Sequence, residues 1–75
     1  MNVKLENYGN MIVYRCPKCY RELLIISNDY FPFTNSCEHY KVYILRSSES
    51  CKCSEDRREV RLMDNNGWMY VICRK

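Results

Sequence analysis

Cys16-Pro17-Lys18-Cys19 constrains this chain more than any other stretch of it. Two cysteines separated by two residues, with a proline fixing φ between them, make a tight turn that aims both sulfurs at one point. Thiolates converging in this way suit a tetrahedral metal site, which for sulfur and imidazole donors means zinc first. The competing reading is a redox dithiol, which ordinarily opens a helix. Here Met11-Ile12-Val13-Tyr14-Arg15 leads into the pair and residues 21–26 lead out of it. Both stretches favour strands, so metal ligation is the stronger reading.

The size of the chain points the same way. A chain of 75 residues buries only about 60% of the surface exposed by its unfolded form and commonly leans on a metal, disulfides or a partner. Its apolar content of 47% is that of a globular protein and argues against disorder. The chain has no alanine and seven tyrosines, which moves the expectation from a helical bundle to a mostly-β fold. Six cysteines in a secreted chain of this size would suggest three disulfides. The opening MNVKLENYGNMIVYR has no continuous apolar core and carries Glu6 early, so it does not read as a signal peptide. A reducing compartment favours thiolates on metal over disulfides, hyperthermophiles excepted. The longest aliphatic run, Leu23-Leu24-Ile25-Ile26, falls far short of the roughly 20 residues needed to cross a bilayer. Gly does not follow Met1, so no amino-terminal acylation is expected. The expectation is one zinc-stabilised β-domain over residues 1–75, cytoplasmic and without membrane contact.

Strand and turn signals order the chain. Residues 1–10 read as an arm or short edge strand, and 11–15 and 21–26 as strands flanking the cysteine turn. Pro32 demotes Tyr30-Phe31-Pro32-Phe33 to an edge strand or extended loop. Residues 41–46 read as the central strand, with Val42 and Ile44 on one face and Tyr43 and Leu45 on the other. Ser54-Glu55-Asp56 is suited to a short helical turn. Residues 59–63 and 68–73 flank Asp64-Asn65-Asn66-Gly67, a hairpin signal. A primed two-residue turn at Asn66-Gly67 would set Val60 opposite Cys73 and Leu62 opposite Val71. A one-residue slip would set Leu62 opposite Tyr70.

Cys37-x-His39 is the favoured second half of the metal site. Seventeen residues separate Cys19 from Cys37, enough for a hairpin that returns to the metal, and His39 is the only histidine. Cys51-x-Cys53 is the competing pair. Otherwise Cys51 and Cys53 join Cys73 in a second site, one of them pairs with Cys73 as a disulfide, or all three are buried thiols. Arg15-Cys16-Pro17-Lys18-Cys19 beside a predicted hairpin resembles the first knuckle of the zinc-ribbon group, and the resemblance spans residues 14–45. It implies two knuckles clamping one zinc between antiparallel strands, with Cys16 and Cys19 in the first and Cys37 and His39 in the second. This chain departs from that pattern twice. Its second knuckle is C-x-H where the group usually has C-x-x-C, and Tyr20 follows the first knuckle where the group usually has glycine. The resulting fold class is a small mostly-β, zinc-ribbon-like antiparallel sheet with an additional C-terminal β-hairpin.

The sequence offers little for an enzyme. It has no His-x-Glu to accompany Cys-Pro-x-Cys as in the zinc deaminases, and its glycines, Gly9 and Gly67, make no phosphate loop. Net charge is +3; residues 1–40 balance at four basic and four acidic side chains, while 41–75 hold eight and five. Lys41, Arg46, Lys52, Arg57, Arg58 and Arg61 are therefore the candidate contacts to DNA or RNA. Arg57 and Arg61 are expected to alternate with Glu59 on one strand face, and Tyr43, Trp68 and Tyr70 to stack on bases if exposed. The functional expectation is a non-enzymatic zinc module binding nucleic acid in a regulatory role. The alternative is a protein-interaction adaptor that docks on a larger machine or forms a homodimer. A small alanine-free chain with this cysteine spacing also resembles viral accessory proteins in composition, which would place it in a host cell.

Overall fold

The computed structural model describes residues 2–46 and 48–75. Among them are strands β1 (Lys4–Asn7), β2 (Met11–Arg15), β3 (Glu22–Ser27), β4 (Phe33–Thr34), β5 (Tyr40–Arg46), β6 (Arg58–Met63) and β7 (Trp68–Arg74). A single 3-10 turn covers Glu55–Arg57, behind Ser54. All strand pairs are antiparallel and form two sheets, ordered β1-β2-β3-β4 and β5-β7-β6. This is the expected small mostly-β fold, a zinc-ribbon-like sheet with an additional C-terminal hairpin.

The main core lies between the sheets. Leu23, Leu24 and Cys16 from the first sheet meet Cys37, Tyr40, Tyr70 and Ile72, with Val42, Val60 and Leu62 packed around them. A bulge makes this possible. Tyr14 pairs with Leu24 and Arg15 with Glu22, leaving Leu23 as the extra residue. Strict alternation would send one of two adjacent leucines to solvent; the bulge lets both reach full burial.

The second sheet differs from expectation in its order. The strand at 41–46 forms as β5, but it lies at an edge, and β7 takes the centre. Met69, Tyr70, Val71, Ile72 and Cys73 are all buried. Five consecutive apolar residues suit a strand covered on both faces, whereas β5 exposes Lys41, Ile44 and Arg46. The inner face of β7 meets the first sheet. Its outer face, with Leu45, is covered by Cys51 and Cys53 from the loop after β5.

The hairpin takes the slipped register. Leu62 faces Tyr70, Val60 faces Ile72 and Arg61 faces Val71. A primed two-residue turn needs positive φ at its first central residue, and in type I′ at both. Here Gly67 alone supplies it, at φ 85°, within a longer turn closed by Asp64. One Asp64 carboxylate oxygen accepts the N–H groups of Asn66 and Trp68, each at 2.9 Å, and the other accepts the Tyr70 hydroxyl at 3.0 Å. These bonds make the longer turn the satisfied one.

Glu59 also departs from expectation. Arg58 pairs with Cys73 and Val60 with Ile72, so Glu59 is the extra residue of a second bulge. Its carboxylate turns away from Arg61 and is only 10% exposed. It accepts the Val3 N–H and the Tyr40 hydroxyl, each at 3.0 Å, and pairs with Arg74 at 3.3 Å. Arg57 belongs to the 3-10 turn, so the alternating Arg57-Glu59-Arg61 face does not form.

Candidate metal centre

Two short turns from opposite sheets meet at one point. The first links β2 to β3 and carries Cys16 and Cys19; the second precedes β5 and carries Cys37 and His39. Within each turn the backbone folds onto the first sulfur. The Lys18 N–H reaches Cys16 Sγ at 3.4 Å, and the His39 N–H reaches Cys37 Sγ at 3.3 Å. Both are donations from two residues along, so the two turns are local analogues despite their different sequences. The Tyr20 N–H closes the first turn on the Cys16 carbonyl at 3.0 Å, and the Cys37 N–H joins the Tyr40 carbonyl at 3.0 Å.

This closure places Tyr20 at φ 62°, the one non-glycine residue of positive φ among those described. The position where the zinc-ribbon group usually has glycine is left-handed in this chain, with a tyrosine adopting it. Its carbonyl accepts Arg15 Nη1 at 2.8 Å, and Lys4 Nζ lies 5.1 Å from its ring centre. Arg15 also pairs with Glu6 at 2.9 Å and Glu22 at 3.7 Å, bracing the turn against β1 and β3.

One donor atom from each of Cys16, Cys19, Cys37 and His39 lies within 4.8 Å of the others. Zinc–sulfur bonds of about 2.3 Å and zinc–nitrogen bonds of about 2.0–2.1 Å set tetrahedral donors roughly 3.6–3.8 Å apart. Cys16 Sγ and His39 Nδ1 stand 3.7 Å apart, which is that spacing. The donor chemistry and count fit zinc, and the cluster has a zinc-ribbon-like form with a Cys-x-His second knuckle. Cys16 and Cys37 are buried, His39 is half-buried and Cys19 is exposed, so the site closes the edge of the main core.

The protons on these sulfurs respond to opposing effects. Burial pushes the Cys16 thiol up, but the N–H groups of Cys19 and Lys18 outweigh it, and the thiol is lowered to about 7. Burial prevails at Cys37 and pushes that thiol up. A bound cation would reverse such a penalty, since a coordinating thiol is deprotonated outright.

Cys51 and Cys53 do not join Cys16 and Cys19. They lie with Cys73 on the far side of the second sheet, where Cys53 and Cys73 form a disulfide. Cys16, Cys19, Cys37 and Cys51 are free thiols.

The six basic candidates do not form one patch. Lys41 and Arg58 flank Cys73 in one row of the outer face, and Arg61 lies in the next row, across Val71 from Tyr43. Arg58 donates Nε and Nη2 to the Cys53 carbonyl at 3.2 and 3.0 Å, and Arg61 directs Nε to Met69 Sδ at 3.3 Å. Lys52 is exposed between the loop cysteines. Arg57 lies elsewhere, lining a polar hollow with Lys18, Glu38 and His39. Arg46 sits 5.1 Å from the Trp68 ring at the end of the sheet. Tyr70 is buried and tied to Asp64, so it presents no stacking face. Sequence reading missed Glu59 as a joint between β6, β5 and the amino-terminal segment, because no local pattern marks that bulge.

Comparison with protein-family models, curated proteins and solved structures finds no match for the chain. Fold and donor set together define a small two-sheet β-protein with a zinc-ribbon-like Cys-Cys-Cys-His cluster. Among the described residues no helix is long and apolar enough to cross a membrane.

Proposed function

We propose that this chain is a non-catalytic zinc module, with Cys16, Cys19, Cys37 and His39 as ligands, that binds nucleic acid in a regulatory role. Four protein donors fill a tetrahedron and leave no open position for substrate, which is the pattern of structural rather than catalytic zinc. The ion would tie the two sheets together through one knuckle from each. An intracellular, cytoplasmic location belongs to the same proposal, since the donors must be kept as thiols.

The observation that carries the nucleic-acid reading is the margin of the second sheet's outer face, where Lys41 and Arg61 are exposed beside the loop that covers its centre. Its strand rows hold Lys41, Arg58, Arg61 and Tyr43 without a carboxylate, because the bulge turns Glu59 inward. Lys52 adds charge from the covering loop. About three phosphate contacts imply a slope near −2 for log affinity against log salt on single strands. Anisotropy titrations with labelled single-stranded and duplex oligonucleotides measure it. Lys41→Glu with Arg61→Glu should abolish binding while zinc content stays unchanged. Binding that ignores salt, or survives the double charge reversal, refutes the assignment.

A protein partner, or a second copy of the chain, is favoured by a different surface. Phe31 is 97% exposed and borders a hollow shared with Pro32, Ile44 and Trp68. Salt-insensitive self-association in sedimentation, lost in Phe31→Ser, would identify this reading instead. The zinc ligation is tested separately: Cys37→Ser should lose far more metal than Cys51→Ser.

A further inference from the structure

The second sulfur cluster lies outside the centre described above and has a chemistry of its own. We propose that Cys51, Cys53 and Cys73, once the Cys53–Cys73 disulfide is reduced, form a second site that takes a soft, thiophilic cation. The three sulfurs lie within 4.8 Å of one another, and Cys51 Sγ is 3.6 Å from Cys53 Sγ. That is the separation of two thiolates sharing one metal with bonds of about 2.3 Å. Cys53 and Cys73 have Cα atoms 6.6 Å apart. Disulfides span roughly 4.4–6.8 Å between Cα atoms, so this backbone already stands at the wide end of the range. Opening the bond and placing an ion between the sulfurs needs little movement of the chain.

The surroundings favour the same class of ligand. Cys73 is held on the central strand, and the loop cysteines rest on Leu45, Met69 and Val71 beside Tyr43. No imidazole or carboxylate joins the group among the described residues. An all-sulfur donor set in an apolar setting selects soft cations such as Cu(I), zinc or cadmium over magnesium or calcium. Three thiolates on a divalent ion leave one net negative charge. Arg58 lies against it, with its guanidinium on the Cys53 carbonyl and its backbone paired with Cys73. Three protein donors leave a fourth position to solvent or an added ligand, unlike the closed first centre.

The covalent step balances with a thiol reductant. Two reductant thiols give two electrons and two protons to the Cys53–Cys73 bond, yielding two cysteine thiols and one reductant disulfide. Metal binding then releases the protons of the three cysteine thiols. In a reducing compartment the site is open, and oxidation closes it by removing two of its three donors.

The test uses the full chain with zinc alone as the probe. Metal-free protein is prepared oxidised, or reduced with a phosphine that is then removed, and its thiols are counted before zinc is added. Native mass spectrometry should show one zinc on the oxidised chain and two on the reduced chain. Reduced Cys51→Ser should hold one, and because Cys51 is half-buried in a loop this variant should fold. Reduced Cys37→Ser should keep the second equivalent while losing the first, which separates failure of the first centre from failure of the second. A reduced chain with six reactive thiols that retains a single zinc, lost in Cys37→Ser and kept in Cys51→Ser, overturns the proposal.

Discussion

Replacing Tyr20 with glycine, and separately with alanine, tests the backbone of the first knuckle. At an ordinary position glycine is less stable than alanine by about 0.4–1 kcal/mol, because the unfolded chain gains freedom. Tyr20 is not ordinary, since its φ of 62° lies in the left-handed region. A residue with a Cβ pays about 1–2 kcal/mol for that conformation, and glycine does not. The order should therefore invert, with Tyr20→Gly more stable than Tyr20→Ala by roughly 0.5–1 kcal/mol after the entropy term is subtracted. Both variants lose the Lys4 contact with the exposed ring, worth about 0.5–1 kcal/mol. The glycine variant should then lie within about 0.5 kcal/mol of the parent and the alanine variant below both. In a domain of this size 1 kcal/mol moves Tm by about 4–8 °C, so the variants should differ by roughly 2–8 °C. Thermal unfolding by circular dichroism must be followed at one fixed free-zinc concentration, because bound ligand shifts Tm by mass action. Alanine equal to or above glycine would refute the left-handed assignment and the analogy with the zinc-ribbon glycine.

Other perturbations reach different parts of the molecule. Ile72 is fully buried between the sheets, so Ile72→Ala should cost about 2–5 kcal/mol in urea unfolding; a loss under 1 kcal/mol would contradict the two-sided burial of β7. Trp68 N–H donation, followed by the Tyr70 hydroxyl and the Asn66 N–H, holds the Asp64 carboxyl below its usual range. Its contribution is therefore present above the unfolded value and lost as pH falls through the folded one, so Asp64→Asn should lose less stability than the parent between about pH 5 and 2 in acid titrations. Zinc binding must displace thiol protons, and Cys16 is lowered to about 7. Burial raises the Cys37 thiol, so zinc retention against a chromophoric chelator should already weaken as pH falls toward about 7 and more steeply below it, and a pH-independent affinity would count against thiolate ligation.

Much of this protein could be read along the chain. Cys16-Pro17-Lys18-Cys19, the strand-forming runs at 11–15 and 41–46, and the turn at Gly67 are local signals, expressed within a few residues by φ limits, β propensity and thiol spacing. Cys37 with His39 was legible as a preference, with Cys51 and Cys53 left open as the competing pair. Tertiary structure brings Cys37 and His39, and not Cys51 and Cys53, beside the first knuckle, because that depends on which loop returns to it across 23 residues from Cys16 to His39. The same holds for the hairpin register, where turn hydrogen bonds from Asp64 outweighed the Asn-Gly signal, and for the central place of β7, set by burial on both faces. Glu59 shows the limit most plainly. One extra residue in β6 turned its carboxylate inward to Val3, Tyr40 and Arg74, and left Lys41, Arg58 and Arg61 in strand rows that hold no acid. A bulge is settled by packing between sheets, so no local pattern could have announced it.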